Sequence, residues 1–64
     1  MRQNLFNIIS SELINSVVVY DYIGKVVLQK KYSEYEIILD TGKLNSGIYF
    51  IRINGLVLKK IIKN

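Results

Sequence analysis

Five carboxylates, Glu12, Asp21, Glu34, Glu36 and Asp40, are all the acid/base equipment of this chain, whose 64 residues include neither histidine nor cysteine. Catalysis near neutral pH needs a tuned base, an activated nucleophile, a metal or two cooperating carboxylates. Glu34 and Glu36 flank Tyr35 and would share one face of a strand, where a solvated pair guarding a hydrophobic strand explains them better than an acid/base pair. One glycine per turn builds no phosphate cradle. No enzyme activity, cofactor or metal is expected from these residues.

The cations carry more weight. Lys25, Lys30 and Lys31 fall in one segment and Lys59, Lys60 and Lys63 in the last, within a formal net charge of +4. If the two groups met on one surface beside Tyr22, Tyr32 or Tyr35, they would resemble the basic, aromatic-interleaved groove of a single-stranded nucleic-acid binder. The competing explanation is edge protection, because lysine on a terminal strand discourages sheet-to-sheet association. That explanation is preferred, since nucleic-acid surfaces usually carry more arginine and less aliphatic bulk. A charge of this size also falls in the range that keeps a small domain dispersed.

The elements that must position these side chains are strands. Half of the residues are hydrophobic, alanine and proline are absent, and Val, Ile, Leu, Tyr and Phe dominate the apolar half. The four glycines, Gly24, Gly42, Gly47 and Gly55, read as turn marks. Residues 4–10 read as a weak strand and "SSELINS" as a turn, with Leu13 and Ile14 dipping into the core. "SVVVYDYIGKVVLQKKY" reads as a hairpin in which Gly24 takes positive φ and the Asp21 carboxylate satisfies turn amides.

In "EYEIILD", Ile37 and Leu39 share the inner face. Leu44 is expected to plug the end of the core. Tyr49, Ile51 and Ile53 fall on one side of "IYFIRI", with the Tyr49 hydroxyl reaching the rim. Tyr20 falls on the face opposite Val17 and Val19. Asn54-Gly55 is a strong hairpin signal, and "LVLKKIIKN" is the returning strand. Six short strands with turns roughly every 8 to 12 residues predict a small antiparallel sandwich or open barrel. The chain reads as one domain, residues 1–64, short enough that it buries only about 60% of its unfolded surface. No apolar run approaches the roughly 20 residues of a membrane-spanning helix, and Met1 to Asn4 do not read as a signal peptide.

In this order, "SVVVYDYIGKVVLQKK", "EIILDTGKLNSGIYFIRI" and "LVLKKIIKN" resemble the C-terminal sorting domain of the type IX (Por) secretion system of Bacteroidetes. Val17 to Lys25 match its first hairpin, Leu44 to Tyr49 its L-N-S-G-I-Y strand, and Lys59 to Asn64 its lysine-rich terminus. The resemblance implies an immunoglobulin-like β-sandwich of about six to seven short strands that serves as a secretion signal. It implies an N-terminal cargo, an outer-membrane translocon as partner, and removal by a sortase-like surface peptidase. The precursor would travel through the periplasm to the cell surface or the medium.

Carried over for translocon recognition are Gly47, Tyr49, Lys60 and Lys63, with Gly24 and Gly55 as structural turns. The terminal lysines are expected to form an exposed, mobile positive edge, read by charge or by strand addition. Where members begin with a P-N-P segment this chain has Met1-Arg2-Gln3, so a sandwich short of one strand is the corresponding expectation. Nucleic-acid binding and a stand-alone module that adds strands to a partner are the alternatives.

Overall fold

A computed structural model describes residues 5–63, leaving aside the side chains of residues 57 and 58. It contains four strands: β1 (Leu5–Asp21), β2 (Val26–Asp40), β3 (Gly47–Ile53) and β4 (Val57–Lys63). All pairs are antiparallel, in the order β2-β1-β3-β4. The expectation of six to seven short strands in an immunoglobulin-like sandwich is therefore corrected to one open sheet of four strands. The expected strand start at Asn4, the Met1-Arg2-Gln3 segment and the final Asn64 lie outside the described residues.

The physical reason for the correction lies in two junctions. "SSELINS" does not reverse the chain; it continues as strand through register shifts between Ile9 and Ile14 and between Ile14 and Ser16. Segments 25–32 and 34–40 likewise join as β2. Each junction is a bulge or a wider irregularity of the register, which bends a strand and increases its twist without ending the pairing.

The bend is large. Seventeen residues of β1 would extend roughly 56 Å at about 3.3 Å per residue, yet the longest dimension of the molecule is 29 Å. The β1–β2 hairpin therefore folds back on itself, and its far half, where Phe6 pairs with Leu39 and Ile8 with Ile37, lies over the inner face of the four-stranded half. Residues 6–9 accordingly line a cavity together with Ile51, Ile53 and Ile61. Asp40 and Thr41, at the end of β2, line another with Val27 and Leu28 from its start.

Between the two halves sits one core: Ile14, Val17, Val19, Ile37, Leu39, Tyr49, Ile51 and Ile53. These are the alternate residues that the period-two patterns placed inward, so the facing is as expected. Ile14 is fully buried whereas Leu13 is 38% exposed, so of the pair expected to dip inward one does. Leu44 packs against the core from the β2–β3 connection.

Three tight connections hold the strands. At the β1–β2 turn, Asp21 Oδ1 accepts from the amides of Ile23 (3.0 Å) and Lys25 (2.8 Å), and Gly24 has φ 92°, both as expected. At the β2–β3 connection, Asp40 Oδ1 accepts from the Gly42 amide at 2.8 Å. At the β3–β4 turn, where residues 54–56 connect the Ile53–Val57 pair, Asn54 (φ 55°) and Gly55 (φ 73°) both take the left-handed conformation that the two central residues of a type I′ turn require.

Candidate functional site: the terminal hairpin and its outer face

The β3–β4 hairpin brings Gly47, Tyr49, Lys60 and Lys63 onto one pair of strands. Gly47 is opposite Lys63, and Phe50 is opposite Lys60. Gly47 opens β3 at φ 152°, a conformation that L side chains rarely adopt, although the space beside it is adequate: an added Cβ would meet only the Tyr49 ring at 4.0 Å. Tyr49 is buried, and its hydroxyl donates to the Asn45 carbonyl at 2.7 Å. A tyrosine that returns a hydrogen bond to the backbone a few residues upstream fixes a corner in many β-proteins.

Lys63 departs from its expected placement. It is 3% exposed, and its ammonium donates to the carbonyl oxygens of Thr41 and Leu44. The expectation of an exposed, mobile lysine edge therefore fails at this position. Lys63 shares the inward row with Tyr49 and Ile61, and an ammonium brought there must find acceptors in the loop it meets. Lys60, on the outward row beside Phe50, is exposed. Of the four residues expected to be read by a partner, three are built into the fold or its turns and Lys60 faces solvent.

Nor do the lysines merge into one stripe. Lys25, Lys30 and Lys31 belong to the β2 side of the sheet and Lys59 and Lys60 to β4, and these strands form opposite edges. Lys30 and Lys59 occupy inward rows, while Lys31 and Lys60 occupy outward ones. This arrangement provides no continuous basic groove, and nothing supports the nucleic-acid alternative.

The outward face of the four-stranded half is apolar and cationic. Tyr20, Phe50 and Lys60 form one row across β1, β3 and β4, with Ile48 and Ile62 as the next. Arg52 lies 5.8 Å from the centroid of the Tyr20 ring, within cation–π range. Asp21, at the rim of this face, is committed through Oδ1 to the turn amides of Ile23 and Lys25. Tyr20 thus lies opposite Val17 and Val19, as its position in the strand predicts.

One structural residue escaped the sequence reading. Asn54 Oδ1 accepts from the amides of Asn15 (2.6 Å) and Ser16 (3.2 Å), and its Nδ2 donates to the Leu13 carbonyl at 2.9 Å. The last turn is thereby fastened to the bulge in β1. The Asn-Gly pair announces the turn, but no local signal announces what the asparagine side chain reaches.

Among the described residues no cluster of His, Cys, Asp or Glu could hold a metal ion, and no helix is long and apolar enough to cross a membrane. The arrangement defines a small all-β module whose distinctive features are a pinned terminal hairpin and an exposed outer face. Residues 2–64 match the family described as the secretion system C-terminal sorting domain, and the chain belongs to that family. No curated protein and no solved structure matches it. The domain is a C-terminal sorting signal for type IX secretion, which implies a cargo attached on its N-terminal side and recognition by the type IX machinery. Its precursor is a secreted or cell-surface protein, and the family is a sorting domain rather than a catalytic one.

Proposed function

We propose that the terminal hairpin from Gly47 to Lys63 is the part of this domain that the type IX outer-membrane translocon reads, and that a sortase-like surface peptidase removes the domain after passage. In this reading Lys60 contacts the translocon, while Gly47, Tyr49 and Lys63 act by holding the hairpin in one shape. The cargo passes from the periplasm to the surface or the medium ahead of its signal. The observation that carries the reading is the family match over residues 2–64, which includes the whole hairpin. The pinning of β4 by a buried lysine supports the division of roles.

The test is a fluorescent cargo bearing a periplasmic signal peptide, fused ahead of residues 1–64 and expressed in a host with type IX secretion. Cargo should reach the surface or the medium. Lys60→Ala should reduce its export without changing the melting temperature of the domain, whereas Lys63→Ala should lower both. Cargo retained in the periplasm by the unsubstituted fusion would refute the sorting role of this chain. Undiminished export by Lys60→Ala would remove Lys60 from the contact.

A further inference from the structure

We propose that the outer face of the four-stranded half, centred on Tyr20, Phe50 and Arg52 and continued across the edge strand by Lys60 and Ile62, docks onto a protein surface with an apolar centre that carries carboxylates. The proposal rests on the sorting reading and adds to it the surface and the chemistry of the partner.

The face is unusually apolar for a solvated sheet. Ile48 is 42% and Ile62 58% exposed, and Tyr20 and Phe50 between them are partly exposed. Contiguous exposed apolar surface on a small domain marks a place where another surface sits. Core formation does not require these residues, because the opposite side of the same strands supplies the core.

Its charge is one-sided. Within the four-stranded half the outward rows of the register contain Lys31, Arg52 and Lys60, and the carboxylate at the rim, Asp21, is engaged through Oδ1 by the turn amides of Ile23 and Lys25. Arg52 is exposed, lies within cation–π range of the Tyr20 ring and is opposite Val18, so its guanidinium borders the apolar side chains of this face. A membrane-surface element instead separates an inserted apolar face from a cationic one that meets the headgroups. A guanidinium that borders apolar side chains needs a carboxylate opposite it when that surface is covered. This favours a protein partner over a lipid surface, and an acidic, apolar partner over a second copy of the same cationic face.

The test uses the cargo fusion with Arg52→Glu/Lys60→Glu, with Ile62→Asp, and with Lys60→Glu alone as the variant least able to disturb folding. Lys43→Glu, in the β2–β3 connection, matches the charge change away from the face. Melting temperatures confirm that each variant folds. Export is expected to fall at least tenfold for the double charge reversal and severalfold for Ile62→Asp and Lys60→Glu, with Lys43→Glu unaffected.

Undiminished export by folded outer-face variants would overturn the docking proposal and leave the sorting reading standing. A periplasmic unsubstituted fusion would end both. Equal loss in Lys43→Glu would reduce the effect to net charge and overturn the proposal. Binding of the chain to phosphatidylglycerol vesicles that is abolished by the outer-face substitutions would reassign the face to a lipid surface. A concentration-dependent dimer dispersed by those substitutions would reassign it to self-association.

Discussion

Lys60 and Lys63 stand three residues apart on β4 and meet opposite environments. Lys63 turns inward and is held by the carbonyl oxygens of Thr41 and Leu44, so it ties the last strand to the β2–β3 connection. Hydrogen bonds from a charged donor contribute about 1.5–3 kcal/mol. Lys63→Met should therefore destabilise the domain by about that amount in urea unfolding, and Lys60→Met by less than about 0.5 kcal/mol. The sequence places both lysines on the last strand, and on opposite faces by alternation, but does not announce the burial of one of them. Alternation assigns Lys63 to the inward row, yet an inward lysine at a chain end ordinarily reaches water, and only the neighbouring loop carbonyls make burial tolerable.

At the scale of elements, the stretches read as strands fall in the four strands over nearly all their described residues, Leu56 being in the turn instead, and the turns at Asp21 to Gly24 and at Asn54-Gly55 adopt the conformations their residues demand. Local chemistry suffices there, because a carboxylate two residues before an amide or a paired positive φ is decided within a few residues. The continuation of β1 through "SSELINS" is not local. Whether Ser, Glu and Asn reverse a chain or merely bulge it depends on whether a partner strand continues alongside, and β2 does. Asn54 then secures the bulge from a distance of about forty positions in the chain, invisible to any window around it. Asn54→Gly keeps the backbone conformation and removes those side-chain hydrogen bonds. It is expected to cost about 1–3 kcal/mol and to speed hydrogen exchange at the amides of Asn15 and Ser16. Exchange unchanged at both amides would show that the bulge holds without the asparagine.

For the whole molecule, one core between two halves of a single folded sheet leaves little reserve, and small losses of packing are felt globally. Tyr32, partly buried against that core from the middle of β2, reports on this. Burial pushes its phenol above the ordinary tyrosine value. The unfolded chain therefore releases the proton first as pH rises, and the folded state is disfavoured over the interval between the two values. Stability should show no Tyr32 contribution below pH about 10 and should decline above it. Tyr32→Phe should make that alkaline decline shallower than in the unsubstituted domain, as read by urea midpoints across the range. The family resemblance was legible in the order of motifs along nearly the whole chain, because it rests on turns and alternation that local residues impose. The architecture was legible only in part, since a fold-back of one long hairpin is settled by pairing between distant segments.

The fold-back also decides where a passenger hangs. Leu5 pairs with Asp40, and Lys63 fastens to Thr41 next door, so the start of β1 and the end of β4 meet at one corner. That corner's incoming strand belongs to the half that lies over the inner face, on the side of the molecule away from Tyr20, Phe50 and Arg52. A passenger tethered ahead of Leu5 is thus suspended behind the domain like a load behind a hook. If the outer face docks as proposed, a passenger held on that side would leave it unobstructed, which would let one small signal serve passengers that have nothing else in common.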